Sequence, residues 1–351
     1  MAVTNFVVSG LSNYVQTNQD IIIKNFALVG TDTRKRIGIQ TGVKLNAYLN
    51  YLALDSTMQD GSSCGFNPLD SLTLTQKQIS TAVIKVDGQI CEETLLGKYA
   101  EYLVKVNAVD NDCPFEQYIV DTLVADLNKK IEKLIWQGDT TQTGDATIKW
   151  INGILKQLAS DGNKVTASIT AGTNAYDGLM TVYMAMPEET LEKGGLIFVS
   201  PAIYRAFLAD MVALNFYHYS GPQDSYPDEF ILPGSDVKVV RTPGLSGSLK
   251  VVGTFAENLV YGCDMENDAE RIRFWWSDDD GMWKYQVKWN SGIAYHFSDQ
   301  MVLGTFSAAP SPLTPNNNIL KSIATSNEGI ADVLDDVHNS TDHAITTKAA
   351  S

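Results

Sequence analysis

Gly61-Ser62-Ser63-Cys64-Gly65 has the G-x-S-x-G spacing of a nucleophile elbow, in which a serine on a tight turn attacks an acyl carbon. Such an elbow needs a buried strand before it and a helix after it. Here Gln59-Asp60 precede it and Phe66-Asn67-Pro68 follow, so the stretch reads as a polar loop. Asp264, Glu266 and Asp268 have the alternate spacing of calcium-loop oxygens. Ala269 and Trp275 stand where that loop needs a glycine and a glutamate, so a solvated acidic turn is the simpler reading. Arg241 to Gly247 is glycine-rich but lacks the GK[ST] ending that cradles phosphates. His218, His296, His338 and His343 form no metal spacing. Cys64, Cys91, Cys113 and Cys263 form no CxxC pair. Trp275, Trp276, Trp283 and Trp289 could stack on a sugar or a base, but flanking a turn they more simply pack one sheet face.

Arg34-Lys35-Arg36 could meet nucleic acid or an acidic neighbour. The charge of the chain favours the neighbour. In 351 residues there are 26 basic and 41 acidic side chains, a net charge of -15. A surface built to neutralise duplex phosphates is excluded by that balance. Hydrophobic residues make up 44%, enough for a sizeable core, and the length suits two domains or one large one. The start, Met-Ala-Val-Thr-Asn-Phe, has no basic or long apolar stretch, so no secretory signal is expected. No run of about 18 apolar residues exists, so no membrane span is expected. No cofactor motif, metal set or credible nucleophile emerges.

The elements explain more than the motifs do. In residues 1–60 short apolar pieces alternate with turn residues, as in an arm rather than a core. Residues 61–98 predict a long hairpin-like excursion, with period-two strands at Leu72-Thr73-Leu74-Thr75 and Ile79 to Val86 and a turn at Asp87-Gly88. Val120, Val124, Leu127, Ile131 and Leu134 step by four and three, predicting a helix over 112–137 that Gly138-Asp139 stops. Further helices are expected over 174–186 and 201–214, with a buried strand at Leu196 to Val199 between them. Residues 236–306 are strand-rich, with a hairpin tip at Asp278-Asp279-Asp280-Gly281. From Ala308 the composition turns to Pro, Ser, Asn, Thr and Ala, a tail with little core-forming power. An arm, a projecting hairpin, a rod and a tail are the parts of a subunit that embraces copies of itself.

In their order these parts resemble the major capsid proteins of tailed bacteriophages. The closest likeness is to crAss-like and related Bacteroidetes phage capsid proteins. The residues that carry it are Leu11-Ser12-Asn13-Tyr14-Val15, Thr41-Gly42-Val43-Lys44, Cys91-Glu92-Glu93-Thr94-Leu95, Pro114-Phe115-Glu116 and Lys130 to Asp139, with 234–306 similar to the family's late strands. The resemblance implies an α+β, HK97-like capsid fold with N-arm, extended loop, spine helix, peripheral domain and axial domain. Residues 1–50 are then the N-terminal arm and 51–98 the extended loop with its base. Residues 99–149 are the peripheral domain with the spine helix 112–138, and 150–262 the axial domain. Residues 263–306 return to the peripheral domain, and 307–351 are a C-terminal tail.

The resemblance further implies self-assembly into pentamers and hexamers of an icosahedral head. That head encloses dsDNA without sequence-specific binding, and portal, scaffold and decoration proteins are candidate partners. It implies no enzyme activity, no cofactor, no membrane, and a place in the virion after assembly in the host bacterial cytoplasm. The expected intersubunit contacts are Arg34, Lys35, Arg36, Phe66, Leu72, Leu74, Ile84 and Val86. Deleting 61–88 is expected to leave a foldable subunit that cannot assemble. An encapsulin-like compartment protein shares the fold, and a carbohydrate-binding protein using the tryptophan-rich hairpin is the alternative from another class.

Overall fold

The computed structural model describes residues 33–55, 57–60, 71–91, 115–214, 229–264 and 271–310. In chain order these contain β1 (Gly38–Gln40), β2 (Asn46–Asp55), β3 (Ser71–Cys91), α1 (Phe115–Gln137), α2 (Ile154–Ser160), β4 (Val165–Ala167), α3 (Ala175–Met184) and α4 (Glu188–Glu192). There follow β5 (Gly195–Val199), α5 (Pro201–Ala213), β6 (Glu229–Ile231), β7 (Lys238–Arg241), β8 (Lys250–Phe255), β9 (Leu259–Gly262), β10 (Arg271–Ser277), β11 (Met282–Tyr295) and β12 (Val302–Thr305). One sheet has the order β1-β9-β11-β3-β2, with β10 also on β11. The other runs β4-β12-β8-β5-β7-β6.

The apolar stripe of α1 does what its spacing predicts. Val120, Leu127, Ile131 and Leu134 are buried, while Val124 is only half-buried. Ile135 and Trp136, both fully buried, widen the stripe beyond the sequence reading. At about 1.5 Å per residue, 23 residues make a rod of roughly 35 Å. The segment just before β1 is stapled to it. The Trp136 indole N–H donates to Thr33 Oγ1 at 2.9 Å, and the Thr33 hydroxyl donates to the buried Glu132 carboxylate. The Trp136 ring also tilts onto Phe198 with centroids 4.9 Å apart.

The glycine-rich stretch 241–247 is a clamp on this helix. Its short 3-10 turn, Pro243–Leu245, lies so close to α1 that a Cβ on Gly244 would sit 2.3 Å from the Glu132 carbonyl oxygen. Gln137 Nε2 donates to the carbonyls of Gly244 (2.6 Å) and Ser246 (3.0 Å). Gly244→Ala should therefore cost about 2 kcal/mol by forcing backbone apart from backbone. A lower urea midpoint at unchanged slope is the expected result, and an unchanged midpoint would contradict this contact.

Strand β5 explains the continuous apolar run Leu196 to Val199. Leu196 and Phe198 join the core around α1, whereas Ile197 and Val199 join a second core with α3 and α5. A strand covered on both faces has no polar alternation. Ser200 caps α5, its hydroxyl accepting from Ile203 N, and Pro201 occupies the first turn.

Strand β3 departs from the sequence reading. It is one continuous strand of 21 residues and runs straight through Asp87-Gly88, where a turn was expected. At about 3.3 Å per residue it spans roughly 70 Å. Gly88 faces Tyr285 across the sheet, and a Cβ there would lie 2.1 Å from the Tyr285 ring. The glycine makes room for an aromatic ring; it does not reverse the chain. Asp87 is likewise held in the strand, accepting from Gln286 Nε2 at 2.7 Å on β11. Residues 33–50, expected as arm, are woven into the body. β1 pairs with β9, and Ile37, Val43 and Leu49 are buried.

Candidate assembly surface

Residues 81–91 of β3 pair with β11 inside the first sheet. Residues 71–80 pair only with β2, in register from Asn46↔Ser80 to Asp55↔Ser71. A two-stranded ribbon, ten residues per strand, thus runs off the sheet, with residues 56–70 joining its far end. Among the described residues no strand pairs with either outer edge of this ribbon. A lone two-stranded ribbon is marginal in water. Open edges of this length are templates for another chain.

At its root the ribbon is fastened. Leu49 and Ile79 pack on Val260 and Ala294. The Thr81 N–H donates to the Leu45 carbonyl at 2.9 Å, and Asn290 Nδ2 donates to the carbonyls of Val43 and Lys44, each at 2.8 Å. Odd positions Lys77, Ile79 and Thr81 face the body, but from Ile84 on it is the even positions that do. The body therefore covers opposite faces of β3 on either side of Ala82-Val83. Tyr48, 61% exposed, lies on the outward face of the ribbon, and Leu45 is exposed just before β2.

An electrostatic latch ties the ribbon to α2 and β11. The Lys77 ammonium lies 3.2 Å from the centre of the Tyr295 ring and 3.4 Å from Asp161 Oδ2. The Tyr295 hydroxyl donates to Asp161 Oδ2 at 2.7 Å, and the Asn163 N–H donates to Oδ1 at 3.0 Å. Burial lowers the pKa of Lys77, opposed by Asp161. Burial raises that of Tyr295, as does its bond to Asp161. For Asp161 burial pulls upward, but the bonds from Tyr295 and Asn163 and the Lys77 charge outweigh it and hold the carboxyl below its usual range.

A depressed carboxyl stabilises the fold above its unfolded pKa of about 3.9 and stops doing so as pH falls through its lower native value. Asp161→Asn should therefore cost about 1.5–3 kcal/mol at pH 7, the worth of hydrogen bonds to a charged group. That deficit should shrink below about pH 4. Urea unfolding of both proteins at neutral and acid pH checks this, and an undiminished deficit in acid contradicts the latch.

The expected contact residues do not come together. Arg34 is buried inside the subunit, its Nη2 donating to Asn128 Oδ1 on α1 at 2.8 Å and its guanidinium 5.5 Å from the Tyr261 ring centre. Arg36 forms an ion pair with Glu229 on β6, so the acidic group it meets belongs to its own chain. Lys35 is exposed. Ile84 is buried in the core around α1, and Val86 leans on that core. Both lie in the body half of β3, so deleting 61–88 would remove a central strand and the fold with it. Leu72 and Leu74 lie on the ribbon at register positions opposite Leu54 and Leu52, and Phe66 lies outside the described residues.

The chemical motifs resolve as follows. The serine loop 61–65, His218, His338, His343, Cys64, Cys113, Glu266 and Asp268 lie outside the described residues. Asp264 is buried. Among the described residues no group of three His, Cys, Asp or Glu could hold a metal ion, and no helix is long and apolar enough to cross a membrane. The tryptophans pack a sheet face as expected in three cases. Trp289 is buried, and Trp276 tilts onto Trp283 at 5.3 Å. Trp275 faces outward. The latch of Lys77, Asp161 and Tyr295 has one signal in the sequence, the shared parity of Lys77 with Ile79.

No family model matches the sequence, and no curated protein matches it. Solved structures do match. The procapsid of satellite phage P4, which includes the size determination protein Sid, superposes at a TM-score of 0.53 and 12% identity, over 83% of this chain and 98% of that one. The capsid of an empty GTA particle superposes at 0.52 and 9% identity, over 79% and 90%. The native GTA capsid gives 0.50 and 9%, over 79% and 97%. At such identities the likeness is one of fold: the chain has the mixed α+β, HK97-type fold of phage capsid proteins.

Proposed function

We propose that this chain is a shell-forming subunit, the major capsid protein of a tailed phage, closing as pentamers and hexamers into an icosahedral head around dsDNA. The observation that carries this reading is the β2–β3 ribbon. It is ten residues long on each strand, stands outside the sheet, and has both edges open among the described residues. A neighbouring subunit supplies the surface it lacks, with Leu72 and Leu74 in the far half of the ribbon, Phe66 in the sequence linking its two strands, and Lys35 on the exposed face of the 33–37 turn. Contacts of this kind between unlike patches close into rings when the rotation from one subunit to the next is a whole fraction of a turn.

The charge supports a head over a cargo compartment. A wall of net charge -15 per subunit repels duplex phosphates, so packaged DNA stays mobile against it. The arm and spine motifs Leu11 to Val15 and Lys130 to Asp139 are the reason to set it nearest the crAss-like phage capsid proteins. Assembly then takes place in the bacterial cytoplasm, with portal, scaffold and decoration proteins as further partners. No catalytic step is assigned to the chain. Native mass spectrometry of the dilute purified chain tests the ring geometry. Species of five and six subunits are expected; a series of even-numbered oligomers built from dimers would contradict it.

A further inference from the structure

The outward face of the β3–β11–β10 sheet is unlike the rest of this acidic chain. Register places Lys85 beside Lys288, Asp87 beside Gln286 with Arg273 on the far side of Gln286, and Gln89 beside Lys284 with Trp275 on the far side of Lys284. The opposite face, with Ile84, Val86, Phe274, Val287 and Trp289, belongs to the core. The described side chains of the outward face therefore include four cations and one acid in a protein of net charge -15. Lys85 pairs with Asp87 at 2.9 Å, and Lys284 pairs with Asp280 at the hairpin tip. Lys288 and Arg273 have no ion-pair partner among the described residues. Like charges on neighbouring strands repel unless an outside anion lies between them. Beside them Trp275, 41% exposed, borders an open cleft of about 540 Å³ lined by Asp87, Gln89, Lys284 and Gln286. The face asks for a partner that is acidic and also offers apolar groups to the indole.

The chain itself contains such a partner. From Ser322 to Thr347 there are five acidic residues and no Lys or Arg. Within that stretch Ile330, Val333, Leu334 and Val337 have the i, i+3, i+4, i+7 spacing of one helix face, with Asp332, Asp335 and Asp336 between them and Glu328 just before them. Residues 311–327 connect this segment to the last described strand region, and 17 residues reach up to roughly 60 Å. We propose that the basic outward face of the β3–β11–β10 sheet is the docking site of the acidic tail segment 328–337. This goes beyond the shell function and does not depend on it. Duplex DNA is the rival anion for the same cations. The tail is favoured because it matches both the four charges and the exposed indole, and because a net charge of -15 opposes DNA at long range.

Amide hydrogen exchange on the full-length chain tests the proposal, with the amides of α1 as the internal control for folding. Amides of 328–337 should exchange at least tenfold slower than in an unstructured chain at low salt, and should lose that protection at 0.5 M salt, where charges are screened to about 4–5 Å. Arg273→Glu with Lys288→Glu should abolish the protection and leave α1 unchanged. Adding Asp335→Lys and Asp336→Lys to that double variant should restore it. Unprotected tail amides in the native chain would overturn the proposal. So would protection indifferent to the face charges, or duplex DNA that quenches Trp275 while the tail stays unprotected.

Discussion

Leu127→Asp should abolish the cooperative folding of the subunit. Leu127 is 1% exposed and lies on α1 between Val120 and Ile131, in the core that also holds Trp136, Phe198 and Trp289. An aspartate there loses the leucine's buried surface and strands a carboxylate among apolar groups, with no cation in the stripe to meet it. Several kcal/mol is a large share of the roughly 5–15 kcal/mol that holds a domain together. Thermal and urea unfolding followed by circular dichroism should show no transition. Asp126→Ala is the matched control. Asp126 is exposed and, among the described residues, pairs with Lys130 at 2.8 Å along the helix surface, a contact worth about 0.5 kcal/mol or less. A soluble, cooperatively folding Leu127→Asp chain would mean that α1 is not the centre of the core.

Shortening the ribbon should separate folding from assembly. Replacing residues 52–74 with Asn-Gly joins Tyr51 to Thr75, a cross-strand pair, through a two-residue turn that suits the strand twist. The root contacts of Leu49, Lys77 and Ile79 remain, as does the body half of β3. Stability should change by less than about 1 kcal/mol, since no residue buried in the described cores is removed. Assembly should be lost, because in the proposed shell the excised half reaches the neighbour. Scattering at assembling concentrations reads the second effect and urea unfolding the first. A truncated chain that assembles as before would remove the ribbon from the shell contact. One that fails to fold would show that the ribbon serves the subunit itself.

What could be read in the sequence was local. The stripe on α1, the buried run of β5 and the hairpin tip at Asp278 to Gly281 each declare themselves within a short window, and the structure has all three. What could not be read depended on distant residues. Asp87-Gly88 has the composition of a turn, and only Tyr285, nearly two hundred residues away, shows why the strand continues. Arg34 and Arg36 look like a free basic patch until Asn128 and Glu229 are seen beside them. Ile84 and Val86 alternate like any half-buried strand, and alternation does not say whether the covering face is the same chain or another. The latch of Lys77 with Asp161 and Tyr295 spans 84 positions in one direction and joins three elements. The proposed intersubunit surface was legible only as a surplus of elements, here a ribbon, that lack a core of their own.

Negative-stain microscopy of the purified chain, with light scattering on the same sample, tests the shell function most directly. Closed particles tens of nanometres across, assembled from rings of this subunit, are the predicted result. A monodisperse dimer that grows no further at any concentration would contradict it.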